Sequence, residues 1–234
     1  MIRGRRGART DEPEDDPVWM SAPKSTITRL EPVDRHPGRI AVHLDGEYAF
    51  SIDGGSLAAM DWSVGKEIPR ESLQAAWSEQ KYKAALSSAL FYLGYRARTE
   101  KEVATRLDDR GYPPPVVAAV LRYITAEGYI NDAAYAERYA ETASERHIGS
   151  RRVAADLRRR GVDPEVAAEA ARTIDDNTET ELALEFACRR AAAMAHLDRQ
   201  VRDRRLAAAL TRRGFSYSTI RVVLEQVKKS ADTE

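Results

Sequence analysis

Between Arg151 and Arg160 the sequence RRVAADLRRR sets five arginines against a single acid, Asp156. A helix started by Ser150 and stopped at Gly161 would place Arg151 and Arg152 in its first turn, where the macrodipole is positive and acidic residues are favoured. Exposed cations there cost about 0.3–1 kcal/mol each. An anion shared by the helix end and the guanidinium forks would reverse that sign. Arg158, Arg159 and Arg160 oppose the negative end of the same helix and need no further role. The first-turn pair therefore has two readings: a solvated face softened by its cap, or a seat for phosphates or carboxylates.

The pattern is partly periodic. Gly111, Gly161 and Gly214 stand 50 and 53 residues apart. Leu107, Leu157 and Leu210 lie four positions before them, and Val103, Val153 and Leu206 eight before. Tyr112, Val162 and Phe215 follow directly, and Ile124, Ile174 and Val227 stand thirteen beyond. So many coincident apolar positions predict a tandem repeat of about fifty residues, three helices to a unit. At the places of Arg151 and Arg152 the third unit has Arg204 and Arg205 and the first has Lys101 and Glu102. Just before the glycines come Asp109-Arg110, Arg159-Arg160 and Arg212-Arg213. The expectation is an anion-binding stripe along a curved stack of helices.

Capping chemistry sets the bounds. Thr99 to Glu102 and Thr178 to Glu181 read as capping boxes, Asp163-Pro164 as a cap before a first-turn proline, and the three glycines as helix stops. Residues 175–179 read as a loop. The repeats are expected over 82–129, 131–174 and 178–228. Residues 1–23, basic and then acidic without apolar periodicity, read as a disordered tail. Residues 24–80 read as a small β-rich module with a short helix: Ile40, Val42 and Leu44 alternate, Asp45-Gly46 turns, and Tyr48, Phe50 and Ile52 return. A third strand is expected over Ile27 to Val33, with Trp62 and Trp77 as packing.

Bulk composition excludes more than it suggests. Lys plus Arg and Asp plus Glu both total 37, so net charge predicts no partner. The single cysteine, Cys188, excludes an intrachain disulfide, fits a reducing cytoplasm, and reads as a small buried hydrophobe among alanines. No run suits a membrane span or an export signal, so a soluble cytoplasmic monomer is expected. His36, His43, His147 and His196 are scattered, and neither a phosphate-cradling glycine loop nor a nucleophile elbow occurs. No catalytic residue, cofactor or metal is expected. Tyr92, Tyr95, Tyr112, Tyr123, Tyr129, Tyr135 and Tyr139 read as packing between repeats rather than base-stacking platforms.

Ala89, Leu93, Arg96, Arg98, Thr99, Glu102, Val103, Leu107 and Gly111 form one ordered motif. Gly128-Tyr-Ile-Asn-Asp132, Tyr135-Ala136, Arg146, Gly149, Arg152-Val153, Leu157 and Arg160-Gly-Val162 form a second. In order and spacing they resemble the RecX regulatory family, over about Ile27 to Val227. Val103, Ser150 and Asp156 depart from the usual leucine, proline and glutamate. The resemblance implies a mainly α fold of three tandem three-helix repeats, here with a β-rich extension. It also implies a regulator of DNA repair, recombination and the SOS response, which binds RecA filaments on DNA and inhibits their ATPase, coprotease and strand-exchange activities. Candidate contacts to filament, single strand or duplex phosphates are Arg96, Arg98, Arg146, Arg151, Arg152, Arg158, Arg159, Arg160, Arg204, Arg205, Arg212 and Arg213. A helical-repeat adaptor for another protein, or a non-specific nucleic-acid binder, is the alternative.

Overall fold

The structure, a computed structural model, describes residues 18–34 and 36–231. Most of the tail expected to be disordered, residues 1–17, lies outside the described residues. From Val18 the chain is packed: a 3-10 turn, Val18–Ser21, buries Trp19 against Phe50, their ring centroids 6.0 Å apart. The tail reading ran six residues too far because a single tryptophan carries no periodicity.

Four antiparallel strands follow, β1 (Lys24–Pro32), β2 (Arg39–Leu44), β3 (Glu47–Asp53) and β4 (Glu67–Pro69), in sheet order β3-β2-β1-β4. Asp45 and Gly46 both take positive φ, as a two-residue hairpin turn requires. Ile27, Val42, Phe50 and Ile52 fill one face of the sheet, with Trp62 and Trp77 packed at its margin. β4 escaped the sequence reading because it has three residues and ends in proline. Between β3 and β4 lies α1 (Gly54–Ala59), capped by Asp53. Two hydrogen bonds from Ser56 hold the Asp53 carboxyl well below the usual carboxylate range.

Nine further helices run α2 (Arg70–Leu93), α3 (Glu100–Asp108), α4 (Pro114–Ala126), α5 (Asp132–Glu145), α6 (Ser150–Arg159), α7 (Pro164–Arg172), α8 (Asp176–Ala192), α9 (Arg199–Arg213) and α10 (Tyr217–Ala231). They form three tandem triplets, so the fold is mainly α with three three-helix repeats and a small β-rich module. α2 continues without a break through residues 80–82: Leu73 and Ala76 join the core of the sheet, while Ala85 and Ala89 are buried further along. The chain divides into two compact units. One comprises residues up to Arg96 with Val103–Ala126, the other Ala97–Glu102 with residues from Glu127 onward.

The glycine register is a repeated helix stop. In each middle helix the N–H two residues past the last turn returns to the leucine carbonyl: Tyr112 to Leu107 at 3.3 Å, Val162 to Leu157 at 3.2 Å, Phe215 to Leu210 at 3.3 Å. This is the Schellman closure, which needs a left-handed residue between. The aligned positions Leu107, Leu157, Leu210, Val103, Val153 and Leu206 are fully buried. The Thr99 capping box forms, with Glu102 N–H donating to Thr99 Oγ1 at 3.2 Å and Thr99 N–H to Glu102 Oε2 at 3.4 Å. The box expected at Thr178 does not. Asp175 accepts from Thr178 N–H at 2.7 Å and starts α8 earlier, so the expected loop over 175–179 is largely the first turn of that helix.

Within the second unit the start of one middle helix meets the end of the next, twice and in the same way. Thr99 Oγ1 donates to Arg160 O at 2.7 Å, and Glu100 N–H donates to Asp132 Oδ1 at 3.0 Å. One repeat later Gly149 N–H donates to Arg213 O at 2.9 Å, and Ser150 N–H to Glu179 Oε1 at 2.9 Å. Gly161 faces the Lys101 side chain and Gly214 the Arg152 backbone, both so closely that a Cβ would clash. The residues carrying the family resemblance gather here. Arg160 pairs with Glu102 at 2.9 Å, donates to the Tyr135 hydroxyl at 3.1 Å, and lies over the Tyr139 ring.

Glu179 is almost fully buried. It also accepts from Ser150 Oγ at 2.6 Å, Thr219 Oγ1 at 2.9 Å and Ser216 N–H at 3.4 Å. One carboxylate thus serves the amino ends of α6 and α10. Burial pushes its pKa up, but these donors outweigh burial and hold the carboxyl below its ordinary value.

Two predictions concern this joint. Glu179→Gln should lose about 2–3 kcal/mol in urea titrations at neutral pH, because several buried donors lose a charged acceptor. A carboxyl with a depressed folded pKa adds stability above its unfolded value of about 4.3, and that stability is lost as pH falls through the folded value. The gap between wild type and variant should therefore close in acid, and an undiminished gap would contradict the assignment. Gly214→Ala should cost about 2–4 kcal/mol, combining positive φ with a collision at the Arg152 backbone nitrogen 2.6 Å away. Gly111→Ala, at the same kind of φ but facing open space, should cost only about 1 kcal/mol.

Candidate anion-binding surface

α6 has no side-chain cap: Gly149 is its N-cap and Ser150 its first helical residue. Arg151 and Arg152 do stand in its first turn. What offsets them is internal. The carbonyl end of α9 abuts the amino end of α6, and Arg152 Nη1 donates to Arg212 O at 2.8 Å. Glu179 supplies the negative charge that the first turn lacks.

Arg204 and Arg205 keep the register of Arg151 and Arg152 relative to the glycine but not their place in the helix. Asp198 caps α9 by accepting from Gln200 N–H at 2.8 Å, so the helix starts at Arg199 and both residues fall in its second turn. Asp203, just before this pair, is mid-helix and lies 3.9 Å from Lys228 Nζ.

The candidate arginines divide into two sets. Arg152, Arg159, Arg160 and Arg213 are engaged within the chain. Arg152 and Arg159 flank Asp156, which also accepts from the Tyr139 hydroxyl at 3.0 Å. Arg213 donates to the carbonyls of Arg146 and His147 and lies over the Phe186 ring, 4.5 Å from its centroid. Arg98 is half-buried and Arg96 exposed. Arg146, Arg151, Arg158, Arg204, Arg205 and Arg212 are exposed, and their guanidinium groups make no ion pair within the described residues. Arg151 and Arg158 are seven residues apart on α6, two turns along one face, and Arg205 and Arg212 repeat that spacing on α9.

Two adjoining concavities lie on the third repeat, the second of them bordered also by the turn between α5 and α6. One, of about 370 Å³, is lined by Arg190, Arg205, Arg212 and His196 over a floor that includes Met194, Leu197 and Ala209. The other, of about 320 Å³, is lined by Arg146, Arg189, Arg190 and Arg213 with His147 and Phe186. Arg190 and Ala193 belong to both, and neither lining includes an aspartate or glutamate. Arg189 Nη2 and Glu185 Oε2 both approach His147 Nε2, at 2.6 and 2.7 Å, and that contact holds the Glu185 carboxyl below the usual range.

Arg189, Arg190, His147 and His196 were not singled out by sequence. An arginine pair in the last turn of a helix is what the macrodipole favours anyway, so its pattern is silent. Cys188, expected to be buried, is exposed: α8 turns Ala183 and Ala187 inward, and the next residue points about 100° away. The tyrosines split as well. Tyr135 is buried and stacks on Tyr139, whereas Tyr95 and Tyr129 are exposed. Among the described residues no cluster of histidine, cysteine and acidic side chains could hold a metal, and no helix is long and apolar enough to cross a membrane.

Comparison with known proteins agrees with this architecture. Family models for the first, second and third three-helix domains of RecX match residues 85–123, 131–170 and 177–224. The regulatory protein RecX of Bacillus subtilis (strain 168) is 26% identical over 209 residues, covering 89% of this chain and 79% of that one. That of Amycolatopsis mediterranei (strain U-32) is 34% identical over 152 residues, 63% of this chain and 85% of the relative. A crystal structure of a regulatory protein RecX superposes with a TM-score of 0.65 at 25% identity, covering 86% of this chain and 99% of that one. With all three domain types matched in order along its length, the chain belongs to the RecX family of regulatory proteins.

Proposed function

We propose that this protein is a non-catalytic regulator that binds RecA filaments on single-stranded DNA and restrains their ATPase, coprotease and strand-exchange activities. It works in the cytoplasm, in DNA repair and recombination. The family assignment supplies the partner class. The observation that carries the reading at residue level is the set of exposed arginines that make no ion pair among the described residues, Arg151 and Arg158 on α6 and Arg205 and Arg212 on α9. In a chain of zero net charge such an excess is local, and a nucleoprotein polymer offers phosphates and acidic protein faces along its length to meet it.

The division of the arginines refines the test. In a DNA-dependent ATPase assay of the recombinase, the chain should suppress turnover. Arg151→Glu/Arg158→Glu should raise the concentration for half-inhibition about tenfold and flatten its salt dependence, since two phosphate or carboxylate contacts are reversed. Folding should survive, because a glutamate in the first turn suits the helix end and neither arginine holds an internal bond. Full inhibition by that variant would remove α6 from the contact surface. No inhibition by the wild-type chain would remove the reading itself.

A further inference from the structure

The second and third repeats solve the same arginine problem differently. Five positions before its glycine, repeat 2 has Asp156, and its carboxylate sits between Arg152 four residues earlier and Arg159 three residues later. Repeat 3 keeps both arginines in the same register, Arg205 and Arg212, but has Ala209 at the position of the acid. Ala209 is buried in the floor of the larger concavity, between those two arginines. The internal anion has been deleted and the cations that faced it kept. Among the described residues no carboxylate replaces it, since neither concavity is lined by one.

We infer that the third repeat carries a binding site for the phosphodiester backbone of a single nucleic-acid strand, in which one phosphate occupies the place that the Asp156 carboxylate holds in repeat 2. Three features favour a phosphodiester chain over an isolated anion or an acidic peptide. The second concavity continues the first through the shared Arg190, so consecutive charges of one polymer are met in turn. The guanidinium groups approach from α8, α9 and the turn between α5 and α6, a spread of directions that suits the tetrahedral oxygens of a phosphodiester better than the planar pair of a carboxylate. The floor of Met194, Leu197, Ala208 and Phe186 offers apolar surface to sugars and bases, which side-chain carboxylates on a peptide do not need. The site rests on the proposed reading of an anionic polymer as partner, but it predicts binding to a bare strand without recombinase.

The test is anisotropy of a fluorescent 20-nucleotide oligothymidylate with the full chain, over a range of salt. Ala209→Asp rebuilds the repeat 2 arrangement, giving Arg205 and Arg212 an internal partner. It should bind the strand about tenfold more weakly, with a log–log salt slope shallower by about 1.4, the equivalent of two lost phosphate contacts on a single strand. Arg205→Ala/Arg212→Ala should do the same by removing the cations, which guards against an effect of the buried aspartate on folding. Inorganic phosphate should compete only at millimolar concentration, and polyglutamate of equal charge should compete poorly. Wild-type affinity and slope in both variants would overturn the site, and efficient displacement by polyglutamate would reassign it to an acidic protein surface. ATPase inhibition measured on the same proteins separates the two ideas: strand binding with these dependences but no inhibition would sink the filament reading alone, and inhibition with unaltered strand binding would sink this site alone.

Discussion

A hydrogen bond from the start of one middle helix to the last carbonyls of the next recurs at Thr99 and Arg160 and again at Gly149 and Arg213. It brings the positive end of one helix against the negative end of another, so the partial charges at the two termini attract. Around it the same parts return: a carboxylate on the following repeat takes the first helical N–H, and a glycine admits the side of the incoming turn. The second joint uses Glu179 where the first uses Asp132, and the longer side chain also reaches the amino end of α10. These few bonds, with the apolar cores on either side, position the exposed arginines of the second unit.

Much of this was legible in residue order. The glycine register gave three helix stops, the buried leucines and valines at fixed offsets gave the core, and Asp45-Gly46 gave the hairpin. What was hidden shares a cause: it depends on partners distant in sequence. Asp175 starts α8 three residues ahead of the Thr178 box, and Asp198 starts α9 six residues ahead of Arg204, because each carboxylate caps its helix where no box motif marks it. β4 exists only because β1 offers it an edge. Trp19 is fixed by Phe50 rather than by its neighbours in the chain.

The same reasoning explains why the arginine motif was informative but misread. Sequence shows that cations crowd a helix start; it does not show that the end of another helix is waiting there. Arg152 and Arg160, which stand in the family motif, are joint residues with internal partners. The exposed arginines that make no ion pair among the described residues lie beside them, at Arg151 and Arg158, and on α9, outside the two motifs that carry the resemblance. Residues that carry a family resemblance can thus be the ones that hold a surface in place, with the exposed charge one step around the helix.

The row of joints has two ends, and neither is left open. At one, Gly111 closes α3 with a bond from Tyr112 to Leu107 and faces empty space; at the other, the Asp198 side chain satisfies the first donors of α9. The inner termini of α3 and α6 are closed by the repeat that follows, whereas these two outer termini are closed by residues of their own repeat. Modules that look interchangeable in outline thus differ in whether each end needs a neighbour.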